Sequence, residues 1–331
     1  PSCTSALEMA TLLADIQPGD EVIMPSYTFP STATALVLRG ATPVFIDIDP
    51  KTLNINPDLI ASAVTNKTKA IIPVDYAGVG CEIDKIIEIA GQYNLKIIED
   101  AAQAIFSKYK GQPVGAKASL AAISFHDTKN IVCGEGGALI VNAPEMVHRA
   151  EILRDKGTNR SQFLRGEVDK YTWVDLGSSF LLGEISAAFL LAQLEAAENI
   201  TQLRMSIWSR YHHQLRELEN NGFITRPFVP DTCEHNAHMY YVIVKNEETR
   251  NKIIQHMNSN GISVTSHYEP LHSSRAGKKY GRAGSDLSKT LNLAGRILRL
   301  PLYPDLTIEQ QDYVIKCLYN YFDYRLNAAH V

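Results

Sequence analysis

"AIIPVDYAGVGCEIDKIIEIAGQYNLKIIED", residues 70–100, decides the fold. It opens with one apolar run, AIIPV (70–74), and closes with another, LKIIED (95–100). Between them Ile83, Ile86, Ile87 and Ala90 recur at the three- and four-residue spacing of one helix face. Two short apolar runs joined through an amphipathic helix read as buried parallel strands with a crossover connection. The same alternation continues outward. EVIMP (21–25) and PVFIDID (43–49) come before it, led by a helical pattern through Ala6, Met9, Ala10, Leu13 and Ile16. AAISF (121–125) and ALIV (138–141) come after it. The order predicts an α/β fold with a mainly parallel sheet covered on both faces.

Past Glu184 the pattern changes. Residues 184–218 read as one long helical stretch, suited to connect a large domain to a smaller one. MYYVIV (239–244), ISVTSHY (262–268) and the amphipathic run 307–322 then read as a smaller α+β domain. The expected division is a large domain over 1–195 and a small one over 196–331.

The bulk numbers exclude several partners. With 331 residues, 45% hydrophobic and 21% charged, the chain can bury a large core. A net charge of −4 gives no reason to expect nucleic acid or an anionic membrane. No apolar stretch is long enough to span a bilayer. The five cysteines are scattered without a CxxC pair, which points to free thiols and a reducing, cytoplasmic setting. CEHNAH (233–238) lacks a second cysteine pair, so it reads as surface or core residues, not a zinc site. The chain begins without methionine, at what reads as a loop-to-helix junction, so a further N-terminal segment is expected.

Ligands of open α/β sheets sit beyond the carboxyl ends of the strands. Three features fall there. CTSALE (3–8) is a helix start with Ser5 and Glu8 at capping-box spacing; its amides either bind a phosphate or leave Ser5 capping its own helix. IIEDAAQA (97–104) puts Glu99 and Asp100 at a buried strand end, where a carboxylate needs a cation or donor, or caps the next helix. SFHDTKN (124–130) precedes GEGG (134–137). A nucleotide phosphate loop has its glycines before the lysine, so that reading is excluded. Taken singly, Lys129 reads as a solvated lysine. Combined with an acid about thirty residues upstream and a phosphate-type helix start, it describes a pyridoxal phosphate site. Asp100 would keep the ring nitrogen protonated, Lys129 would join the aldehyde, and Thr4 and Ser5 would hold the phosphate.

PSCTSALEMA (1–10), GDEVIMPSYTFPSTA (19–33), IEDAAQA (98–104), SFHDTKN with GEGG, and HYEPLH (267–272) jointly resemble the DegT/StrS-type nucleotide-sugar aminotransferases. The likeness runs across essentially the whole chain. It implies the aspartate-aminotransferase fold (type I), with a seven-stranded-type sheet in the large domain. Lys129 then resembles the Schiff-base lysine, Asp100 the pyridine-nitrogen partner, and Gln103 the residue bonded to the cofactor's phenolic oxygen. Phe29 matches the aromatic that stacks on the ring, and Thr4, Ser5 and Ser124 match the phosphate ligands. The family's sites lie in a homodimer with shared active sites, where a partner residue reaches the phosphate. Ser179 occupies that position, in GSS (177–179) where many members have GYN. Asp75 stands where the family commonly has histidine.

Residues 151–179 resemble the branch that serves enterobacterial common antigen and lipopolysaccharide biosynthesis. That likeness implies a dTDP-linked keto sugar and L-glutamate as substrates, with amination at the 4-keto carbon of dTDP-4-keto-6-deoxy-D-glucose. His267, Tyr268 and His272 are the expected sugar contacts, or else this stretch only joins the domains. Amination at C3 or of a UDP-sugar is the nearest alternative. The family's dehydratases replace the lysine, so Lys129 argues against them, and the intact Asp100, Gln103 and Lys129 argue against a non-catalytic regulator.

Overall fold

The computed structural model describes residues 1–323. Five strands run parallel at its centre: β1 (Glu21–Pro25), β2 (Thr42–Ile46), β3 (Thr68–Ile71), β4 (Lys96–Asp100) and β5 (Leu120–Ser124). A sixth, β6 (Gly137–Val141), pairs antiparallel with β5. Arg282–Ala283 completes a seven-stranded sheet as the edge beside β2, giving the order 282–283, β2, β1, β3, β4, β5, β6. The expected α/β fold and its seven-stranded sheet are present, and every large-domain strand read from the sequence lies within three residues of its observed limits.

Period-two alternation builds two cores, one on each face of the sheet. Val22, Met24, Ala70 and Ile98 pack against the helix α1 (Cys3–Leu13). Ile23, Val44, Ile71 and Ile97 point the other way, toward Ile83, Ile86 and Ala90. Each fully buried aliphatic side chain contributes about 1.5–3 kcal/mol, which outweighs the weak β-propensity of alanine in β5. Two more helices fix the strand ends. α2 (Pro30–Val37) begins with proline at its first turn, and α3 (Ile83–Tyr93) ends at Asn94 in the left-handed conformation (φ 52°, ψ 44°), which turns the chain straight into β4.

The connector differs from the single helix expected. It comprises Glu184–Glu195, Ala197–Gln214 and Arg216–Asn220, with junctions at Ala196 (φ −92°, ψ 1°) and Leu215 (φ −89°, ψ 5°). Beyond it, Tyr240–Val244 lies antiparallel between Ile297–Leu300 and Ile224–Thr225, and pools its apolar side chains with helices Glu247–Ser259 and Ile308–Tyr321. ISVTSHY forms no strand; only Thr265 makes a bridge, to Arg299. Its carbonyl at His267 is instead taken by the hydroxyl of Tyr27, a large-domain side chain. The chain also crosses the expected boundary twice, because Arg282–Ala283 joins the large sheet and Cys233–Glu234 pairs with Lys108–Tyr109.

Candidate active site

Successive side chains of a strand point to opposite faces, so Glu99 and Asp100 part company at the end of β4. Asp100 faces a cavity of about 340 Å³. Thr32, in the first turn of α2, donates its hydroxyl to Oδ2 at 2.8 Å, and the Ala102 N–H donates to Oδ1 at 3.2 Å. Burial pushes the carboxyl up, against the pull of these donors and of Lys129. Such a carboxyl is set to receive a cation.

Lys129 sits on the loop after β5. That loop is tied by Lys129 N–H to the His126 carbonyl (2.9 Å), Asp127 N–H to Gly134 (3.0 Å) and Cys133 N–H to Phe125 (2.8 Å). Burial lowers the ammonium of Lys129, while Cys3 and Asp100 draw it back up. A depressed lysine carries more neutral amine near neutral pH, the form that attacks a carbonyl or takes a proton.

The glycines behind the lysine have a steric reason. A Cβ on Gly137 would stand 2.3 Å from both the Cys3 nitrogen and the Ser2 carbonyl carbon. Glycine there lets the N-terminus of α1 press against β6, beside Ser124. Ser2, not Ser5, caps this helix, accepting from the Ser5 N–H at 3.1 Å. The capping box expected at Ser5 and Glu8 is therefore corrected: the cap lies three residues earlier, at Ser2, and the helix begins at Cys3.

Thr4, Phe29, Asp100, Gln103, Ser124 and Lys129 line this one cavity, with His267 and Tyr268 across from them. Three expected residues lie outside it. Ser5 turns toward a different cavity, its hydroxyl 3.0 Å from that of Ser2. Ser179 is bridged to Asp155 on an exposed loop. His272 is held by Ser26, Nδ1 to Oγ at 2.5 Å, which ties its loop to the end of β1. Pyridoxal phosphate fits the donors that remain. An amine and a buried carboxylate share the cavity, and Thr4, Ser31 and Ser124 supply hydroxyls beside the positive end of α1. Thr4 and Ser31 already stand 2.7 Å apart.

Gln103 is positioned from both ends. Its Oε1 accepts from the Ala77 N–H at 2.7 Å, and its Nε2 donates to the Tyr268 hydroxyl at 3.0 Å. The Tyr268 ring lies 3.5 Å from that of His267, whose Nδ1 is 2.9 Å from the Tyr76 hydroxyl. Burial, then Arg299 and Lys129, push His267 far down, so it is a neutral ring at physiological pH. Phe29 is 55% exposed, its ring open at the cavity mouth.

On the sealed face, Glu99 meets Asp75, whose Oδ1 accepts from the Cys81 N–H at 2.8 Å. Burial and mutual repulsion push Asp75 well up, and burial pushes Glu99 up. Burial thus favours a proton on this pair over two charges side by side. The residues of CEHNAH are dispersed: His235 packs on Trp208, and His238 Nδ1 meets Asn130 Oδ1 at 3.0 Å. Among the described residues no group of three side chains could hold a metal.

Sequence reasoning missed Cys3, Thr32, His238 and Arg299, all of which line the cavity. Thr32 had a signal, since PST (30–32) opens a helix directly after Phe29. Arg299 had none, because the strand ILRL (297–300) reads only as a core element. Lys129, His238 and Arg299 also border a second, more polar cavity of about 650 Å³, which Gln193 and Asn199 of the connector help to line.

A model of the DegT/DnrJ/EryC1/StrS aminotransferase family matches residues 1–319. The spore coat polysaccharide biosynthesis protein SpsC of Bacillus subtilis is 34% identical over 325 residues, 96% of this chain and 83% of that protein. Among solved structures, S. venezuelae DesV in complex with a ketimine intermediate is 31% identical, with a TM-score of 0.88 over 98% of this chain and 84% of its own. The sugar aminotransferase Spr1654 of Streptococcus pneumoniae, described as putative and solved in its PLP form, is 30% identical. Its TM-score is 0.87, over 97% of this chain and 86% of its own.

Proposed function

The chain belongs to the DegT/DnrJ/EryC1/StrS aminotransferase family, and from that premise we propose its substrates: L-glutamate as amino donor and dTDP-4-keto-6-deoxy-D-glucose as acceptor. The products are 2-oxoglutarate and dTDP-4-amino-4,6-dideoxy-D-galactose. The enzyme is an aminotransferase, and its cofactor is pyridoxal 5′-phosphate. The observation that carries the reading is the meeting of Lys129 and Asp100 in one cavity, beside the helix start bearing Thr4.

When bound, the cofactor supplies an electron sink that stabilises negative charge on the carbon losing its proton. The protein's residues do the rest. Asp100, oriented by Thr32, would hold a charge against the ring nitrogen. Lys129, its ammonium weakened by burial, carries the proton away from and back to the reacting carbon. Phe29 would cover one face of the ring, Gln103, bonded to Tyr268, would fix its polar edge, and Thr4 and Ser124 with the α1 amides would hold the phosphate. His267 and Tyr268 contact the sugar.

Ser179 serves the phosphate of a partner protomer's site. Two observations support this arrangement: Ser179 lies outside its own chain's cavity, and the neighbouring Trp173, Ile185, Phe189 and Leu191 are 55–90% exposed. The setting is the cytoplasm; no helix among the described residues is long and apolar enough to cross a membrane.

The test has two stages. Borohydride reduction of the holoenzyme should fix the cofactor to Lys129, and Lys129→Ala should abolish both the adduct and turnover, a loss of at least about 10⁴-fold. An adduct that survives the substitution refutes the site. Amino transfer to dTDP-4-keto-6-deoxy-D-glucose, compared with a UDP-linked keto sugar, then decides the acceptor. Preference for the latter keeps the aminotransferase and discards the named sugar.

A further inference from the structure

Lys129 is followed by a chain of buried polar contacts to which the proposed reaction gives no role. The next residue, Asn130, is buried. Its Nδ2 donates to the Asn236 carbonyl at 2.7 Å, and its Oδ1 stands 3.0 Å from His238 Nδ1. A carbonyl only accepts, so the first contact fixes which end of the Asn130 amide is which. Oδ1 must then accept, and His238 Nδ1 must carry the hydrogen. The ring is neutral: burial first, then the Lys129 and Arg204 cations, push it well below its ordinary value. Nε2 is left as an acceptor without a hydrogen, on a residue that borders the same two cavities as Lys129.

Residues 236–238 are held in turn by Arg204. It comes from the connector helix Ala197–Gln214 and is 5% exposed. Its Nε donates to the Ala237 carbonyl at 3.2 Å and its Nη2 to the His238 carbonyl at 2.6 Å. Burial lowers the guanidinium to about 10, with no carboxylate among the described residues to offset it. A buried cation spent on two neutral carbonyls is costly, and it marks a backbone whose position matters. That backbone is strained: Ala237 has φ 50°, in the left-handed region that a Cβ disfavours. Asn236 Nδ2 also donates to the Gln103 and Ile105 carbonyls, at 2.9 Å each. One bend thus meets the loop of Gln103 on one side and the loop of Lys129 on the other.

We propose that Arg204, His238 and Asn130 form a positioning relay for Lys129, with Arg204 acting from the connector. This rests on the reading of Lys129 as the residue that moves the proton. Lys129 must serve the cofactor and the reacting carbon in turn, on one flexible side chain. Such a side chain reaches both places reproducibly only if its backbone stays put. On one side the Lys129 N–H is tied to the His126 carbonyl; on the other, Asn130 is the anchor. Loosening Arg204 moves the lysine without removing any group that contacts a substrate. An error of about 1 Å at a reacting group costs on the order of 10²-fold in rate.

The test separates placement from folding. In holoenzyme carrying nitrogen-labelled histidine, NMR should find the His238 ring neutral with its hydrogen on Nδ1, assigned by its disappearance in His238→Gln. Asn130→Ala should release that tautomer. Arg204→Met keeps the bulk and loses both donors. It should lower kcat by about 10- to 100-fold and leave KM for donor and acceptor within about twofold. The proton step then limits the rate, so α-deuterated glutamate should show a larger isotope effect than with the wild type. Arg204→Lys keeps the charge and a donor and should recover part of kcat. Should Arg204→Met fail to fold, the larger isotope effect is read in Arg204→Lys. A His238 hydrogen on Nε2 in the wild type overturns the relay. So does an unchanged isotope effect in the Arg204 variants beside a lowered melting temperature, the mark of a purely structural residue. Failure of borohydride to fix cofactor to wild-type Lys129 removes the site reading instead, and that result is seen before any variant is made.

Discussion

Glu99 and Asp100 are neighbours in the chain and opposites in the molecule. One strand end carries both carboxyls, and the pleat sends one into the cavity and the other into the packed layer behind it. Both are almost completely buried, and burial pushes both upward. They differ in company. Asp100 has a hydroxyl, an amide and a lysine nearby, all of which favour its charge. Glu99 has another acid, Asp75, and each keeps one oxygen without a partner. The same residue chemistry becomes a working anion on one face and a proton-sharing pair on the other. The neighbours decide, not the strand.

The strongest way to break this contrast is to remove the charge from the open side. Asp100→Asn should lower kcat by about 10²- to 10³-fold, the scale of losing one preorganised electrostatic group, while the fold and the Lys129 adduct persist. Retention of wild-type kcat would mean that Asp100 is merely a helix-capping group. A milder change sharpens the contrast. Thr32→Val deletes the hydroxyl that holds the Asp100 carboxyl down. The carboxyl should then take up a proton at higher pH, so the acidic limb of the pH–rate profile should move upward, with about a tenfold loss of kcat at the acidic end.

The smallest effect on catalysis is expected on the sealed side. Because the folded state raises the Asp75 and Glu99 carboxyls, it holds a proton that the unfolded chain releases. Their contribution to stability is present at low pH and is lost as pH rises through the folded-state values. Asp75→Asn removes one acid and can donate to Glu99. It should leave kcat within about twofold and raise stability near neutral pH by on the order of 1 kcal/mol, flattening the pH dependence of the melting temperature. A large loss of kcat would instead link the buried pair to the chemistry.

Strand positions were legible because apolar runs and the helical period between them are strong local signals, as residues 70–100 illustrate. Lys129 and Asp100 were legible as a pair because Asp100 ends β4 and Lys129 lies on the loop leaving the adjacent β5, and strand ends of such sheets converge. Ser5 was misread because two serines compete to start α1, and only the approach of Gly137 shows where the helix begins. ISVTSHY carries strand-forming residues, yet a tyrosine from the other domain takes its carbonyl. His272 shares a motif with Tyr268 but is drawn off to Ser26. Arg299 was invisible because its place in the cavity and its buried Nε, unpartnered among the described residues, are set by the fold, and no local pattern records either.

The contact of Gly137 with Ser2 and Cys3 also constrains how the molecule is made. Every strand from β1 to β5 lies between those residues in sequence, so their meeting closes a very long loop. Closing such long loops costs entropy before the contact stabilises anything. A chain emerging N-terminus first exposes the start of α1 well before β6 exists to receive it. The corner proposed for the phosphate therefore cannot close until the chain has been made through β6, so cofactor capture requires the large-domain sheet to be complete on that side.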